Sequence, residues 1–595
     1  MKTNWGNMTV PAQPNPSSGT PPAGTSAGRS PNRYSHTGTT RLLCAGPYLQ
    51  ARFRRRVVEE LVEHDGRAVA PSAGVDVVPV LAHALRARRL ELRAGAWIVL
   101  LWTLFWLADL YGDGFGWMTS WSLADAYSQS YTERRFFLLT DMVDVSDLGA
   151  RYPGSGSWAL NYALVCGLLW LVRNISGRGT SVYSLDGLLP GSRGRTRLAA
   201  FVPRLLMALY WAAALAALWN SSANWMAVVF PLLMVIPVWR HRSAVEEVMC
   251  DRLSTESFGR RPREELSGPE WLRKIGQAID REQNSGLVLY EPDRPFVGSG
   301  RALKSWSLVM DLRRRPGAEA EPLTAAGVLN CVRDRLADLG RLPEPPVGLD
   351  RLRAVEIDEL VYLPSGPSRN EVDRGETATA LHRLTSVGEG GEARRHFLRV
   401  RVAAWEHQVV ISVLVRVHTQ GELLVLEVVP HVLDPLKPEF GLVDDIVARG
   451  RDYPAIAVAR ALLTAPAAGV AAAFSAARSL EGVAGGASRG RGYGGVRETS
   501  AEGAAASVRE LASVGGQSPF QRMDVSRYLK TIQERIGTGA LQALQEKGHD
   551  TGQLEQQIVQ VSNGGVFIGT MSGGAVASGR GAMARAGEAL QQMNG

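Results

Sequence analysis

The segment GSGRALKS (298–305) is the part of the sequence most similar to a nucleotide-binding motif. Lys304 and Ser305 follow a glycine turn there, as the corresponding residues of a phosphate-binding loop do. Such a loop needs glycine directly before its lysine, so that backbone amides can close around the phosphate, and Leu303 stands at that position. We therefore predict a glycine turn between two strands and no cofactor site.

Three evenly spaced histidines, His396, His407 and His418, are the next candidates, because imidazole is a common metal ligand. Equal spacing along antiparallel strands does not make three side chains converge, and no acidic pattern completes a ligand set. Paired carboxylates, an HExxH motif and a Ser/His/Asp set are not evident either. The sequence predicts no catalytic residue, no metal site and no cofactor, and we interpret the protein as something other than an enzyme.

A single arginine, Arg204, lies inside a long apolar run. A charge within a membrane can bind an anion or act in gating. Arg204 is only about one turn from the end of its run, however, so its side chain can extend to the membrane surface. Extension to the surface is the favoured interpretation, and a functional charge in the membrane is the alternative.

Arg204 lies in one of four apolar runs, each of which is long enough, or nearly so, to cross a bilayer. They are residues 94–112, 158–172, 198–219 and 225–239. Eleven of the fifteen tryptophans lie between the first and the last run, several at run edges, where headgroups favour aromatic rings. The pattern predicts an α-helical membrane domain of four transmembrane helices.

Arginines are distributed unevenly between the loops that flank these runs. The loop 113–157 holds three, and the turn 220–224 holds none. The other flanks hold clusters, namely Arg86, Arg88, Arg89 and Arg93, then Arg173, Arg178, Arg193, Arg195 and Arg197, and then Arg240 and Arg242. Because positive charge stays on the cytoplasmic side, this predicts a multi-pass protein of the inner (plasma) membrane with both termini in the cytoplasm.

The overall charge and the cysteines exclude several classes. The basic residues behind the net charge of +8 are almost all arginine, since only six of the 66 are lysine, and arginines cluster at these flanks. The charge therefore has local roles, and no nucleic acid partner is expected. The four cysteines lack paired spacing, which argues against a zinc ribbon or a disulfide framework.

Composition and periodicity divide the first half of the chain into four segments. Residues 1–40 are rich in Pro, Ser, Gly and Thr, which predicts a disordered leader. Residues 41–93 have apolar positions at helical spacing and are predicted to be cytoplasmic basic helices. The four-helix transmembrane region is expected at 94–240, and juxtamembrane helices are expected at 241–285.

Residues 286–440 change from helical to strand periodicity. The runs 396–405, 408–418 and 423–433 are rich in β-branched residues and have short connections, which predicts an antiparallel sheet. A helix over 324–340 is predicted to cover one face of it. This segment is therefore expected to be a cytoplasmic α+β domain.

The rest of the chain is rich in glycine and alanine. Residues 441–515 hold too few large apolar side chains to build a core and are predicted to be a linker. In 516–595, an apolar helix face needs a partner from its own chain or from another copy. This face comprises Val525, Tyr528, Leu529, Ile532 and Ile536.

Short β-prone pieces separated by glycine turns follow that helix, a composition that stacks between chains. The residues expected to take part are Val559, Gln560, Val561, Val566 and Ile568. The whole of 516–595 is therefore predicted to be a helical and glycine-rich self-association tail.

Two stretches, LYEPDRPFVGSGRALKSWSL and RRHFLRVRVAAWEHQVVISVLVRV, resemble a group of uncharacterised multi-pass membrane proteins of high-GC actinobacteria. The resemblance covers roughly residues 41–440 and implies a membrane location but no activity. The tail segment IVQVSNGG (558–565) is similar to the RHIM-like amyloid-signalling tails of bacterial conflict proteins, except that Ser562 stands where those tails have glycine. That resemblance implies self-assembly of the tail.

We favour an integral membrane scaffold or regulatory protein with a cytoplasmic binding domain and a self-assembling tail. Its expected partners are the lipid bilayer, further copies of the chain and a cytoplasmic protein. A channel or pore-forming effector, with a pathway lined by Arg204, Asn161 and the proline-containing fourth run, is one alternative. A membrane-tethered enzyme acting through 286–440, near Gly298 to Lys304 and His396, is the other.

Overall fold

The computed structural model of the protein contains an apolar helical bundle, a layer of helices beneath it and a seven-stranded sheet. The described residues are 32–64, 66–111, 158–175, 195–220, 225–317, 321–341, 351–365, 394–404, 408–420, 422–450, 454–490, 503–552 and 554–555. The predicted leader therefore lies mostly outside the described residues, and so does nearly all of the β-prone tail.

The helical layer begins with two short helices. Helix α1 spans Gly38–Leu49, and the hydroxyl of Thr37 caps it by accepting a hydrogen bond from its first turn. Helix α2 spans Ala51–Val58 and continues into one π-helical turn at Glu59–Glu63. Their buried side chains belong to a single apolar core that also contains the first turns of the next helix.

Helix α3, Val77–Tyr111, belongs to both the layer and the bundle. At 1.5 Å per residue, its 35 residues extend for about 52 Å. Its first turns bury Val80 and Leu81 in the layer, and its later turns bury Ile98 and Phe105 in the bundle. One uninterrupted helix thus fixes the bundle relative to the layer.

Three further helices build the bundle: α4 (Trp158–Ile175), α5 (Arg195–Asn220) and α6 (Met226–Arg252). Helix α6 also enters the layer, where Met249 is buried. The carboxylate of Asp109, near the end of α3, accepts hydrogen bonds from the first two backbone N–H groups of α4 at 3.2 and 3.3 Å. An acidic group at a helix N-terminus satisfies otherwise unpaired donors, so Asp109 joins α3 to α4.

Aromatic rings fill the centre of the bundle. The rings of Phe105 and Phe230 stack with centroids 5.1 Å apart, and those of Tyr162 and Tyr210 lie at the same separation. The Tyr210 hydroxyl donates to the carbonyl of Ala227 at 2.8 Å, which satisfies a polar group inside an apolar core.

A one-turn helix, Thr255–Phe258, and then α7, Glu270–Glu282, follow the bundle. The sheet comes next. Its strands are β1 (Leu287–Tyr290), β2 (Arg301–Ala302), β3 (Trp306–Asp311), β4 (Glu356–Pro364), β5 (Arg395–Ala404), β6 (Val409–Gln420) and β7 (Leu423–Leu433).

The strand order is β1-β4-β5-β6-β7-β2, and β3 also pairs with β7. The meander β5 to β7 is antiparallel, as predicted, and β4 extends it, but β1 pairs with β4 in parallel, from Leu287 opposite Val361 to Tyr290 opposite Pro364. The sheet is therefore mixed, and the expectation of an antiparallel sheet is corrected. A parallel pair needs a long crossover connection, and the chain between β1 and β4 supplies one that includes helix α8, Ala325–Ala337.

Helix α11, Pro519–Glu546, packs with α8 over one face of the sheet. Val525, Tyr528, Ile532 and Ile536 are buried there, and Leu529 packs against the same core. Close approach of the helices requires Gly539, because an added Cβ would lie 2.6 Å from the Cα of Val332. Of the two partners that the sequence left open for this face, its own chain or another copy, its own chain covers it.

Helices α9 (Pro438–Arg449) and α10 (Pro454–Gly490) occupy the region predicted to be a linker. Helix α9 joins the core of the layer through Phe440 and Val443. Helix α10 packs against the bundle with alanines, namely Ala461, Ala465, Ala468 and Ala472. The linker prediction does not hold here, because small residues that build a poor core alone allow close packing between apolar helices.

Three described helices contain a segment long and apolar enough to cross a membrane: Val77–Asp109, Met226–Arg252 and Ala455–Phe474. The apolar parts of α4 and α5, Trp158–Val172 and Arg204–Trp219, are shorter. Four transmembrane helices are therefore not confirmed. Two of the four predicted runs lie in the first two segments, two lie in the shorter helices, and the third segment was not predicted.

Candidate membrane interface and charged junction

Many large apolar side chains are exposed on the bundle helices, and we call this set the apolar belt. Three of its members are strongly exposed: Trp97 at 60%, Leu463 at 83% and Trp219 at 91%. The others are Val99, Leu100, Leu104, Trp106, Leu107, Leu160, Leu164, Leu168, Leu171, Leu205, Leu215, Trp225, Leu232, Ile236, Ile456, Val458, Leu462 and Phe474. An apolar surface of this extent marks an interface with membrane or protein.

The belt ends where buried charges begin. On α3, Glu91 is buried and paired with the buried Arg54 of α2. One turn deeper in the layer, Arg86 and Arg252 each donate to the same oxygen of Glu264 at 2.6 Å. Burial alone would raise the pKa of Glu264, but His83 and the two guanidinium groups lower it. Glu264 therefore ties α3 to α6 as a carboxylate.

Asp76, fully buried at the start of α3, is the centre of a second cluster. Arg263 donates to both of its oxygens, at 2.7 and 3.0 Å, and the hydroxyl of Ser35 donates to one at 2.6 Å. Arg263 also pairs with Asp280 of α7. The pKa of Arg263 is raised, because the hydrogen bonds and charges of the two aspartates outweigh the effect of burial.

The sheet meets this layer through its charged face, on which Arg401 of β5 is only 3% exposed. Arg401 donates to the carboxylate of Glu356 at 2.7 Å, to the Tyr34 hydroxyl at 2.6 Å and to the carbonyl of Ser72 at 2.9 Å. Tyr34 in turn donates to Glu356 at 2.8 Å. Burial, opposed by the nearby Arg401, raises the pKa of Tyr34 to about 12, so it stays a donor.

A cleft of about 750 Å³ opens beside this network, between the N-terminal segment, α7 and the sheet. Its acidic groups are matched by arginines: Asp358 with Arg399 at 2.9 Å, and Asp280 with Arg263. Within the described part of the chain, no group of three or more His, Cys, Asp or Glu residues is placed to hold a metal ion. Each of these two pairs lies within one layer, whereas the bonds of Arg401 and Glu356 with Tyr34 and Ser72 join the sheet to the helical layer.

The GSG turn of the predicted strand connection already holds an anion. The backbone N–H groups of Gly298 and Gly300 donate to one carboxylate oxygen of Glu510 at 2.8 and 2.9 Å. Both glycines have positive φ, and a Cβ on Gly300 would collide with the carbonyl of Val432. The other oxygen of Glu510 accepts from the N–H of Ser507 in a capping box. The turn therefore anchors the one-turn helix Val508–Leu511.

The candidate histidines do not form a cluster among the described residues. His396 lies 3.5 Å from a carboxylate oxygen of Glu359. On β6, the partner of His418 by register would be Arg395, not His396, so the two histidines lie on opposite faces of the sheet. His407 lies outside the described residues.

The structure describes some of the remaining candidate residues and not others. Arg204 is exposed and marks the start of the apolar part of α5, and Asn161 is half-buried on α4. The tail residues Val559, Gln560, Val561, Val566 and Ile568 lie outside the described residues. The structure thus places the Val525 to Ile536 face and leaves the β-prone pieces untested.

Sequence reasoning missed the charged network. One signal was available, because two acids alternate on β4 and two arginines alternate on β5. The register sets Glu356 opposite Arg401 and Asp358 opposite Arg399. Tyr34, Ser72 and Glu510 had no such signal, since their partners are more than 200 residues away in sequence.

A family described as an AbeC-like domain matches residues 305–573, which is less than half of the chain. The matched segment contains β3 to β7 and α8 to α11, so it includes five of the seven strands, the helices that cover the sheet, one helix of the layer and one helix that packs on the bundle. No curated protein and no solved structure matches this chain.

Proposed function

We propose that the protein is an integral membrane scaffold or regulatory protein, with the bundle in the inner membrane and the sheet in the cytoplasm. The observation that carries this proposal is the apolar belt, because most of the exposed large apolar side chains lie on the bundle helices and the belt ends at the charged junction. Lipid acyl chains would cover the belt, and the tryptophans near its edges, such as Trp97 and Trp219, suit the headgroup level.

The orientation follows from the arginines next to the belt. Arg89 and Arg93 precede the apolar part of α3, and Arg240 and Arg242 follow that of α6. They lie on the same side of the bundle as the helical layer and the sheet. Because such arginines stay on the cytoplasmic side, this arrangement supports a cytoplasmic sheet.

Helix α10 would not cross the membrane, although its apolar segment is long enough. Both of its flanks return to the same folded body, since α9 packs in the layer on one side and Gly503 donates to Glu291 at 2.8 Å on the other. A single crossing would separate these flanks. Crossings by α3, α4, α5 and α6 give the even number that such an arrangement requires.

The contacts of α10 support a shallow position. Its alanines pack against Ile98, near the start of the apolar part of α3, and Val238, near the end of that of α6. The ring of Phe474 stacks on Trp170 of α4 at 5.0 Å, close to the end of α4 that leads to Arg173. We therefore place α10 in the cytoplasmic leaflet, where Leu463 would face acyl chains.

Cysteine accessibility in intact cells tests this topology. Single cysteines at Ser128, Ser184 and Ser488, in a chain whose four native cysteines are replaced, would be treated with a membrane-impermeant thiol reagent. Ser128 alone should be labelled from outside. Labelling at Ser184 would refute the four crossings, and labelling at Ser488, near the end of α10, would refute its shallow position.

The regulatory part of the proposal rests on the continuity of α3 and α6, which pass from the belt into the layer that binds the sheet. Self-association would then come from the tail after Glu555, whose RHIM-like resemblance motivates it, because the α11 face is covered. A chain ending at Glu555 keeps α11 on the sheet. If this chain and the full chain form oligomers of equal size in detergent, self-association through the tail is wrong.

A further inference from the structure

A basic cleft of about 410 Å³ lies between α3 and α6, just below the apolar belt. Arg86, Arg89 and Arg93 line it from α3, and Arg252 and Arg261 line it from the other side. Leu90 and Val248 form an apolar part of the wall. The cleft therefore combines five guanidinium groups with apolar surface, separately from the charged network at the sheet.

The arginines of this cleft fall into two groups. Arg86 and Arg252 are held by Glu264. Arg89, Arg93 and Arg261 are exposed and have no acidic partner within 4 Å among the described residues. Glu247 and Asp251 also line the cleft, so with Glu264 it contains five positive and three negative charges. The excess is positive and is concentrated on the unpaired arginines.

The depth of the cleft matches the headgroup layer. Arg93 directly precedes Ala94, where the apolar run begins, and Arg89 lies about 6 Å lower along the helix. The headgroup region extends roughly 5–7 Å beyond the hydrocarbon on each side. The exposed ring of Trp97 stands one turn above Arg93. The cleft therefore opens where a phosphate group of the inner leaflet would lie.

We propose that this cleft binds the phosphate of an anionic phospholipid headgroup. Guanidinium groups are suited to this ligand because two N–H donors can meet two phosphate oxygens. Basic pockets between helices on the cytoplasmic side are a known means of holding acidic headgroups. The proposal rests on the membrane placement proposed above, and it adds a lipid preference that placement alone does not require.

The test compares lipid binding by the full-length protein and two matched variants. The cleft variant carries Arg89→Gln, Arg93→Gln and Arg261→Gln. The control variant carries Lys304→Gln, Arg313→Gln and Arg315→Gln, which remove the same charge from exposed positions on the sheet side. Each protein would be reconstituted in phosphatidylcholine with and without phosphatidylglycerol, and its thermal stability and co-purified lipid would be measured.

The unaltered protein and the control should be stabilised by phosphatidylglycerol and should retain it preferentially. The cleft variant should lose this preference, with binding weakened at least tenfold, since each arginine near the surface contributes roughly fivefold. Equal loss in both variants, or no loss in the cleft variant, would overturn the proposal. If the triple variant fails to fold, Arg261→Gln alone, at an exposed bend, should still weaken binding roughly fivefold.

Two further measurements show which part of the proposal is wrong if the expected result is not obtained. Glycerol phosphate added in detergent should stabilise the protein little. If it stabilises the protein as strongly as the lipid does, the ligand is a soluble phosphate and the lipid assignment is wrong. Alkaline carbonate extraction of membranes tests the membrane placement itself. Release of the unaltered protein would refute membrane insertion. If the cleft variant stays inserted and keeps its lipid preference, only the cleft proposal is refuted.

Discussion

The two faces of the sheet are both covered, but by different chemistry. On one face, Val400, Val413 and Val428 lie against α8 and α11 in an aliphatic core. On the other, Arg399 and Arg401 alternate with them along the sheet and pair with acids of β4, and Arg401 also donates to the Tyr34 hydroxyl and to the carbonyl of Ser72 in the helical layer. An aliphatic face tolerates any well-fitting cover, whereas a charged face demands particular partners at particular positions.

This difference separates two tasks. The aliphatic face builds a stable sheet, because burial of apolar area supplies most of the free energy of folding. The charged face fixes where that sheet sits relative to the helical layer, since Arg401 bonds to the Tyr34 hydroxyl and the Ser72 carbonyl, and Glu356 accepts from Tyr34. We therefore expect changes on the aliphatic face to unfold the sheet and changes on the charged face to detach it.

The largest effect is expected for Ile532→Asp, because Ile532 is fully buried between α11 and the sheet. An unpaired carboxylate there should cost more than about 4 kcal/mol. Hydrogen exchange of peptides from β5 to β7 in the full-length protein should become fast. Met523→Asp, on an exposed part of the same helix, is the control and should change stability by less than about 0.5 kcal/mol.

Arg401→Met should have the next largest effect, about 3 kcal/mol, since Glu356 and Tyr34 lose their shared cation. This loss of stability is smaller than that expected for a fully buried pair, because Glu356 is partly exposed. Exchange should rise in residues 32–40 more than in β6. Adding Glu356→Leu should restore much of the loss, and if it restores none, the face is not held by this pair.

Glu510→Ala should cost about 2 kcal/mol, because the amides of Gly298 and Gly300 lose a charged acceptor. The loss of stability should be confined to the GSG turn and to residues 503–514. These lie at an edge of the sheet and not on either of its faces. Glu534→Ala, an exposed carboxylate on α11, provides the comparison. Equal exchange in both variants would mean that the anchor contributes nothing.

The smallest effect concerns pH and His431, which is buried on the charged face near Phe296. Burial, opposed by the carbonyl of Val429, lowers its pKa below the ordinary value. The unfolded chain therefore binds a proton first, so stability is complete above about pH 6.5 and falls as pH decreases towards the folded pKa. His431→Gln should reduce the slope of the stability profile between about pH 7 and pH 5, where carboxylates scarcely titrate and other buried histidines such as His83 and His241 contribute the rest. If the slope of stability against pH is the same in this variant, another titrating group causes it.

Local sequence determined the elements whose periodicity is strong. β-branched composition and short connections predicted the antiparallel strands β5 to β7 and their order. Helix α8 and its cap at Thr324 were readable in the same way. These features depend on neighbours within a few residues, and sequence spacing encodes such neighbours directly.

Only the tertiary structure decided what lies against each element. The apolar face of α11 was evident in the sequence, but its cover by the sheet was not, and the alanines of α10 looked like a linker until the bundle gave them a surface. Arg401 meets Tyr34 and Ser72 across more than 300 residues. Such pairings are chosen by the geometry of the whole fold, so no local spacing records them.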